Sequence, residues 1–359
     1  VDTLQKYADT WGEQNGYEVE VIHQSPSVQQ FAQAVKSAEG PDAVVGIPND
    51  QLADYVNAGL TAEVPAELYN DADFSEAAVQ ACYVDGKRYA APLSVETTAL
   101  FYNTDMVEKV PATWEELVEQ AVENGGVQFD ATSIYYDLGF VRACGGYIFN
   151  YQNGAYDTSD IGLANDGAVQ AYHFLDDLCN RYGLITADVT ADIARSNFQN
   201  GKCAYYIGGP WDIDGFTSAE TPFGITEMPT FHGQAFVTPV GTQVSFVGKD
   251  SDKQEPAWSF IKYLIENGAK DLYEAGDRIP ARLSDQELEE IRENAYAKAF
   301  IVQINQGEPM PTVSEMGQLW SIHVNNIRSM WSGEQTPEEA AKNMVAQLEE
   351  AVELMNSGK

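Results

Sequence analysis

Residues 89–103 read YAAPLSVETTALFYN, a stretch of apolar and β-prone residues with no turn residue after Pro92. Proline lacks an N–H and is tolerated at the beginning of a strand but not in its middle, so the stretch predicts a buried strand from about Leu93 to Tyr102. This strand contains one carboxylate, Glu96. Because an unpaired carboxylate costs several kcal/mol to bury, two interpretations stay open. Glu96 belongs to a satisfied ion pair, or it lies at a bend where the strand passes from one lobe to another and faces a polar ligand.

The length and charge of the chain define its broad class. With 359 residues the chain exceeds one hydrophobic core, so we expect two lobes. The 20 basic and 55 acidic residues give a formal charge of −35, which repels phosphate backbones, and a nucleic-acid partner is therefore not expected. No window approaches the roughly 18 apolar residues of a membrane span. We expect an export signal to lie upstream of Val1.

The cysteines are scattered along the chain at Cys82, Cys144, Cys179 and Cys203. No C-x-x-C pair occurs, which argues against a zinc site and against a redox motif. We expect free, mostly buried thiols, with two disulfides as the alternative. We expect no metal and no cofactor.

Helical and strand patterns alternate from the first residues onward, without repeats or a Pro/Ser-rich linker. The predicted elements are an initial helix that stops at Gly16, a strand over Tyr17–Ile22, a helix over Phe31–Ala38 and a buried strand over Pro41–Ile47. The polar loop Pro48-Asn-Asp-Gln51 follows that strand. Loops at the carboxyl ends of parallel strands are where open α/β sheets bind ligands. A plain turn built on Asn and Asp is the alternative.

Later helix starts are predicted from capping boxes at Thr113-Trp-Glu-Glu116, Ser284-Asp-Gln-Glu287 and Thr336-Pro-Glu-Glu339. A further amphipathic helix is predicted over Asn165–Tyr182, with Val169, Tyr172, Leu175 and Leu178 on one face. These signals are structural and say little about function.

Aromatic residues carry the functional signal. Tyr135-Tyr136 lies in a stretch that we interpret as non-helical, and Trp211 follows the turn Gly208-Gly-Pro210, which directs the indole outward. Trp320 is predicted near the beginning of a helix. Large aromatic faces suit pyranose rings, whose C–H faces are apolar and whose rims are polar. Singly, such residues are typical of a core, and Trp114 and Trp258 are predicted to be core.

Several motifs occur in a recognisable order: Gly145-Gly-Tyr-Ile-Phe-Asn-Tyr-Gln-Asn-Gly154, Phe198-Gln-Asn-Gly201, Gly209-Pro-Trp211, Pro229-Thr-Phe231 and Gly307-Glu-Pro-Met-Pro311, with Trp320 nine residues on. In this order the chain resembles the maltose/maltodextrin-binding proteins of ABC importers, over nearly its whole length. The resemblance implies an α/β fold of the two-lobed periplasmic-binding-protein type, type II-like, with a mostly parallel sheet flanked by helices in each lobe and a ligand cleft between the lobes.

The resemblance also implies roles for individual residues. It places Asn49 and Asp50 in a polar loop that holds sugar hydroxyls, Glu96 at the hinge, Tyr135 and Tyr136 in an aromatic patch, and Trp211 and Trp320 against sugar rings. The full set of candidate substrate-binding residues is Asn49, Asp50, Gln51, Glu96, Ser133, Tyr135, Tyr136, Trp211, Asp212 and Trp320. No catalytic residue is expected.

This chain departs from the family pattern at several positions. The family's first strand would precede Val1. Gly46 stands where a tryptophan is expected, Ser133 for a glutamate, Ala191 for a tyrosine and Val324 for an arginine. The aromatic surfaces are kept and the polar contacts are thinned, so the class of ligand is better supported than its identity.

Rival functions lead to different expectations. A glycoside hydrolase needs a matched pair of carboxylates, and Asp50, Glu96 and Asp212 are the candidates. Ferric-ion binding uses adjacent tyrosines, and the chain has two such pairs, Tyr135-Tyr136 and Tyr205-Tyr206. The second pair lies in a predicted strand, where successive side chains face opposite ways, so we assign it to the core.

The sequence therefore predicts a non-enzymatic, monomeric solute-binding protein for α-linked gluco-oligosaccharides, with a non-glucan oligosaccharide as the alternative ligand. Its partners would be the sugar and the permease subunits of an ABC importer. We expect it outside the cytoplasm, as a cell-surface lipoprotein or in a periplasm. The predicted N-terminal lobe comprises residues 1–95 and 246–290, and the C-terminal lobe comprises residues 96–245 and 291–359.

Overall fold

The computed structural model describes residues 1–24, 27–37, 40–152 and 155–357. The chain divides into two compact units. The first unit comprises Val1–Glu96, Val240–Ala297 and Thr312–Ser314, and the second comprises Thr97–Pro239, Lys298–Pro311 and the chain from Glu315 onward. The sequence placed the boundaries at residues 95/96, 245/246 and 290/291, whereas this division has them at residues 96/97, 239/240 and 297/298. The second boundary differs because the strand that begins there pairs within the sheet of the first unit.

The helices in chain order are α1 (Asp2–Asn15), α2 (Val28–Ala34), α3 (Leu52–Asn57), α4 (Glu76–Gln80), α5 (Trp114–Asn124), α6 (Ile134–Ala143), α7 (Asp166–Asp176), α8 (Ala191–Gln199), α9 (Ile213–Ser218), α10 (Gln254–Asn267), α11 (Ala269–Glu274), α12 (Glu289–Arg292), α13 (Ala295–Gln306), α14 (Met316–Trp331) and α15 (Pro337–Ser357).

The strands are β1 (Ala43–Pro48), β2 (Tyr83–Val84), β3 (Lys87–Arg88), β4 (Ala91–Glu96), β5 (Ala99–Asn103), β6 (Val127–Gln128), β7 (Phe149–Gln152), β8 (Ala155–Ile161), β9 (Tyr205–Gly208), β10 (Phe223–Thr226), β11 (Pro239–Val247), β12 (Ile279–Pro280) and β13 (Glu308–Pro309).

The first unit is built on a sheet with the strand order β1-β11-β4-β12, and each of these neighbouring pairs is antiparallel. Behind it, the rings of Phe31, Tyr55 and Phe246 form a core cluster with centroids 5.1 to 5.6 Å apart. In a second cluster, Ala8 and Trp11 of α1 pack against Phe260 of α10. The unit therefore has buried apolar contacts that connect its two longest segments.

The second unit is built on a sheet with the order β10-β5-β9-β6, in which β6 and β9 are parallel and the other pairs are antiparallel. The rings of Phe101, Phe198, Tyr206 and Phe216 pack together on this sheet. Trp114 is fully buried, as predicted, and its ring lies 4.6 Å from that of Phe140.

The two-unit α/β organisation agrees with the sequence, but the strand directions do not. Mostly parallel sheets were expected, whereas β6–β9 is the one parallel pair among the paired strands described above. The prediction is wrong because strands distant in sequence, such as β4 and β11, are neighbours in the sheet, and alternation along the chain does not determine their direction.

The predicted strand around Glu96 is two strands. β4 ends at Glu96, Thr97 and Thr98 interrupt the pairing, and β5 begins at Ala99. β4 belongs to the sheet of the first unit and β5 to the sheet of the second. The chain thus passes from one unit to the other directly after Glu96, as predicted.

The strand predicted at Tyr17–Ile22 does not form. The backbone there is bonded to the side chain of Gln5, whose Nε2 donates to the Val19 carbonyl at 2.8 Å and whose Oε1 accepts from the Val21 N–H at 2.8 Å. An amide side chain therefore takes the place of a neighbouring strand. The preceding helix is as predicted, since Gly16 ends α1 with a φ of 78° in the left-handed region.

Two other early predictions need correction. The helix predicted at Phe31–Ala38 is α2, which begins at Val28 under a capping box of Ser27 and Gln30 and ends at Ala34, while Ala38 lies outside the described residues. The strand predicted at Pro41–Ile47 exists as β1, but Ile47 is its one buried residue. β1 is thus a half-buried strand at the end of the sheet order.

The capping boxes differ in outcome. Thr113 caps α5 and Thr336 caps α15, as predicted. Ser284 caps no α-helix, because it lies inside the 3-10 turn Leu283–Glu287. The helix predicted over Asn165–Tyr182 is α7, continued by a π-helical turn at Asp177–Arg181.

The four thiols are free, as predicted, with Cys82 and Cys203 buried and Cys144 and Cys179 half-buried. Burial raises the pKa of each thiol, and that of Cys203 rises to about 12. In the part of the chain that the structure describes, no helix has both the length and the apolarity to cross a membrane.

The stabilising effect of the cap at the start of α15 can be tested by mutation. The Thr336 hydroxyl accepts from the Glu339 N–H at 3.2 Å, and the Thr336 N–H donates to Glu339 Oε2 at 2.9 Å. We expect Thr336→Ala to destabilise the protein by about 1 kcal/mol, because an N–H at the helix start loses its acceptor. A urea titration would measure the shift in midpoint. Thr336→Ser is the control and should keep the wild-type midpoint; an alanine variant that also keeps it would contradict the cap.

Candidate functional site

The predicted site residues divide between the two units, and each group is described within its own unit. The first unit contains Asn49, Asp50, Gln51 and Glu96, and the second contains Ser133, Tyr135, Tyr136, Trp211, Asp212 and Trp320.

Asn49 is buried in the first unit. It begins a 3-10 turn directly after β1, and its side chain is 1 % exposed. Its Nδ2 donates to Thr312 Oγ1 at 3.2 Å, and its Oδ1 accepts from the Thr242 N–H at 3.0 Å. These bonds connect the end of β1 to β11 and to the segment Thr312–Ser314, so Asn49 has a structural role here. A sugar contact for it stays a prediction.

Asp50 and Gln51 follow in the same turn. Gln51 is exposed, and Asp50 is half-buried. Burial raises the pKa of the Asp50 carboxyl, and the nearby Asp54 adds to the rise. The turn thus presents the amide of Gln51 and the carboxyl of Asp50, which stays protonated to a higher pH than an exposed aspartate does. Both groups can bond to a hydroxyl.

Glu96 has partners on both oxygens. Arg278 Nε donates to Oε2 at 2.5 Å, and Gln243 Nε2 donates to Oε1 at 3.1 Å. The Glu96 side chain is 13 % exposed and that of Arg278 is 43 % exposed, so the pair lies at the surface of the first unit. The ion-pair interpretation of Glu96 is confirmed, and a ligand contact by the same carboxylate stays a prediction.

Tyr135 and Tyr136 lie in helix α6, and their assignment to a non-helical stretch is wrong. Ser133 caps this helix, with its Oγ accepting from the Tyr135 N–H at 3.4 Å. Ile134 and Leu138 are buried one helical turn apart, and this spacing holds the segment as a helix. Ser133 therefore acts as a helix cap, whatever else it binds.

Three half-exposed aromatic side chains come together in the second unit, and we call Tyr135, Tyr136 and Trp211 the aromatic cluster. The ring centroids of Tyr135 and Trp211 are 6.3 Å apart at an interplanar angle of 51°, and those of Tyr135 and Tyr136 are 5.7 Å apart at 78°. The rings are tilted or edge-on, so they do not cover each other's faces. Each of the three side chains keeps part of its surface exposed.

Asp212 fixes the turn that carries Trp211. It is 1 % exposed. Its Oδ1 accepts from Arg195 Nε at 2.6 Å, and its Oδ2 accepts from the Tyr206 hydroxyl at 2.9 Å and from the Gly209 N–H at 3.3 Å. A carboxylate with this many donors is stable when buried. Asp212 thus holds both ends of the residues 209–212 turn and positions Trp211.

The hydroxyl groups near Asp212 are held neutral. Burial raises the pKa of Tyr136, and the charges of Asp212 and Asp130 add to the rise. Burial and Asp212 raise the pKa of Tyr206 in the same way. The phenol of Tyr136 is neutral at pH 7, as an unperturbed tyrosine also is, and it has an O–H donor.

Trp320 is the fifth residue of α14, near the start of the helix as predicted, and its side chain is half-exposed. Its role in the site rests on the resemblance.

The second tyrosine pair belongs to the core, as predicted. Tyr205 and Tyr206 lie in β9 and are at most 1 % exposed. The Tyr205 hydroxyl donates to Gln120 Oε1 at 2.6 Å, and burial raises the pKa of Tyr205 to about 12. A phenol in this state is a poor source of the tyrosinate that ferric iron binds. Within the described ranges, no group of three or more His, Cys, Asp or Glu residues could hold a metal ion.

Sequence reasoning missed the partners of the two carboxylates. Arg195 pairs with Asp212 from 17 residues away, and Arg278 pairs with Glu96 from 182 residues away. The one available signal is compositional, since arginine and lysine total 20 against 55 acidic residues. In a chain with so few cations, each arginine or lysine is a candidate partner for a buried carboxylate.

Comparison with known proteins adds three findings. A family model described as a bacterial extracellular solute-binding protein matches residues 6–299. The galactooligosaccharide-binding protein of Bacillus subtilis (strain 168) is 30% identical over an alignment of 334 residues that covers 89% of this chain and 79% of that protein. A maltooligosaccharide ABC transporter solute-binding lipoprotein of Streptococcus pneumoniae (strain ATCC BAA-255 / R6) is 26% identical over an alignment of the same length that covers 88% of this chain and 78% of the relative.

Similarity to a solved structure extends over nearly the whole chain. A cyclo/maltodextrin-binding protein complexed with maltotetraose matches with a TM-score of 0.91 at 27% sequence identity. The match covers 98% of this chain and 93% of the other.

The role of Asp212 can be tested by a matched pair of variants. We expect Asp212→Asn to destabilise the protein by about 2 kcal/mol, because a buried carboxylate with charge-assisted bonds becomes an amide with fewer acceptors. Asp192 pairs with the same arginine but is 92 % exposed, so Asp192→Asn should change stability by less than about 0.5 kcal/mol. Urea unfolding of both variants measures the difference, and equal effects would contradict the positioning role.

Proposed function

Because the chain belongs to the bacterial extracellular solute-binding protein family, we propose that it captures a malto-oligosaccharide outside the cytoplasm and delivers it to an ABC importer. A relative is named as a maltooligosaccharide solute-binding lipoprotein, and a structural neighbour was solved with maltotetraose. Both support an α-linked glucan as the ligand. Attachment to the cell surface by a lipid is the corresponding expectation.

The observation that carries this proposal is the aromatic cluster. A pyranose ring has an apolar C–H face, which gains free energy by covering an aromatic face, and a polar rim, which needs hydrogen bonds. Tyr135 and Trp211 offer half-exposed ring surface, and the neutral phenol of Tyr136 offers a donor beside it. Sugar binding uses all of these features together.

We assign the remaining residues to hydroxyl binding and to a second stacking surface. Asp50 and Gln51 offer polar groups in the first unit, Glu96 offers a carboxylate, and Trp320 is the second stacking residue. Asn49, Ser133 and Asp212 have structural bonds of their own, and we propose that they shape the site by holding its backbone.

A non-glucan oligosaccharide is the second candidate ligand. It is favoured by one observation, the relative named as a galactooligosaccharide-binding protein at 30% identity. Galactose and glucose differ in the orientation of one hydroxyl, so an aromatic face accepts both rings, and hydroxyl contacts must discriminate between them.

We propose that the protein does no chemistry on the sugar. Hydrolysis needs one carboxyl that gives a proton and one carboxylate that attacks or activates water. Asp212 is 1 % exposed with donors on both oxygens, and Glu96 is held in an ion pair with Arg278, so neither is free to act as the second carboxyl that Asp50 would need. Long incubation of the pure protein with maltotetraose should leave the sugar intact, and released glucose or maltose would overturn this part.

A thermal-shift screen tests the ligand class. Maltotriose and maltotetraose at about 100 times the dissociation constant should stabilise the protein by about 2.7 kcal/mol, since they bind only the folded state. Cellotetraose is the control, with the same ring and a β linkage. A larger shift with galacto-oligosaccharides would establish the second candidate, and no shift with any sugar would overturn the proposal.

Replacing the stacking residues should weaken sugar binding without unfolding the protein. We expect Trp211→Ala and Trp320→Ala each to cost about 1–3 kcal/mol of binding free energy, the scale of burying a large apolar side chain. Calorimetry with maltotetraose measures the loss. Tyr182 is an exposed aromatic residue of the second unit that contacts Arg181, and Tyr182→Ala should bind as the wild type does. Unaltered affinity in both tryptophan variants would refute the assignment.

Glu96→Gln separates the ion pair from a ligand contact. The amide keeps the shape and loses the charge, so we expect a loss of stability below about 1 kcal/mol, because the pair with Arg278 is partly screened by solvent. We also expect a loss of about 1 kcal/mol in sugar binding, since hydroxyl groups bond more strongly to a carboxylate. Melting and calorimetry read the two effects separately. A lower melting temperature with unchanged affinity would leave Glu96 with the ion pair alone.

A further inference from the structure

Asp137 and His323 are two titratable residues with no exposed surface, and no role in the site accounts for them so far. Asp137 lies in α6, directly after Tyr135 and Tyr136, and His323 lies in α14, three residues after Trp320. These two helices pack against each other within the second unit. The pair thus lies at the junction of the helices that carry the proposed stacking residues.

The geometry determines where the imidazole proton lies. His323 Nδ1 is 2.9 Å from the carbonyl oxygen of Thr132, the residue before the Ser133 cap of α6. A carbonyl only accepts, so Nδ1 carries the proton and donates it. In a neutral ring the other nitrogen, Nε2, is then an acceptor. Nε2 faces Asp137 Oδ2 at 3.7 Å, which is longer than a hydrogen bond, and among the described residues neither atom has a hydrogen-bond partner.

Burial favours the neutral form of both residues. It raises the pKa of Asp137 well above its usual range, with the charge of Asp130 adding to the rise, and it lowers the pKa of His323 to about 4. The other titratable group that faces the carboxyl is the buried phenol of Tyr172 from α7, whose pKa is raised by burial and by Asp137. A protonated Asp137 carboxyl can point its O–H at Nε2, so that a donor faces an acceptor. An ionised carboxylate would instead place a second acceptor opposite Nε2.

We propose that Asp137 and His323 are positioning residues of the sugar site, which act as a neutral pair that holds α14 against the start of α6 and so fixes Trp320 relative to Tyr135 and Tyr136. The proposal rests on the proposed function. Stacking tolerates little displacement, because dispersion contacts weaken steeply over a gap of an ångström. His323 is one helical turn from Trp320, so a change in the pair moves the indole.

A double-mutant cycle tests the positioning role by calorimetry with maltotetraose. Asp137→Leu replaces the carboxyl by an apolar group with the same branching and the same number of heavy atoms, and we expect about tenfold weaker binding in the wild-type background, within the range of coupling between neighbours. In the Trp320→Ala background the same change should weaken binding by less than about twofold. Asp137→Asn keeps an uncharged N–H donor toward Nε2 and should bind as the wild type does. A tenfold loss that persists without Trp320 would overturn the proposal.

A second measurement needs no variant and no sugar. Nitrogen-15 NMR of His323 in the unliganded protein should show the neutral tautomer with the proton on Nδ1 from pH 5 to pH 8, because its pKa of about 4 lies below that range. A charged imidazolium at pH 6 would overturn the neutral pair even if Asp137→Leu failed to fold. Absence of binding to any sugar in the thermal screen would instead remove the proposed function and the positioning role with it, leaving the neutral pair intact.

Discussion

A carboxylate taken out of water must be matched by donors, and in the second unit this condition applies to Asp212. Leaving its charge unmatched would cost several kcal/mol, so Arg195, Tyr206 and the Gly209 N–H converge on it. Trp211 lies between Gly209 and Asp212, and the contacts that satisfy the carboxylate also fix the backbone that carries the indole. The position of the Trp211 indole therefore depends on the hydrogen bonds that the buried carboxylate of Asp212 needs.

Features that depend on neighbouring residues could be predicted from the sequence. A threonine followed three residues later by glutamate identified the starts of α5 and α15, since the cap bonds are local. Trp114 was assigned to the core because single aromatic residues are more often core than site, and it is fully buried. The order of aromatic and glycine motifs indicated the family, which the match over residues 6–299 then established.

Features that depend on distant residues could not be predicted. The partner of Glu96 is 182 residues away, and no local pattern identifies Arg278 as that residue. Strand direction fails for the same reason, because β11 reaches β4 from another part of the chain. At Tyr17–Ile22 the residues alternate as in a strand, yet the backbone N–H of Val21 and the carbonyl of Val19 bond to the side chain of Gln5 and not to a neighbouring strand. The structural role of Asp212 could not be predicted either, since its partner Arg195 lies in α8 and β9 comes between them in the chain.

Outside the cytoplasm, the cysteines of a protein meet an oxidising environment. The thiolate is the reactive form of cysteine, and burial keeps each thiol protonated, that of Cys203 up to a pKa of about 12. In the folded chain Cys82 and Cys203 are therefore protected both by burial and by protonation. Cys144 and Cys179 keep part of their surface exposed, so they are the thiols that an oxidant outside the cytoplasm reaches first.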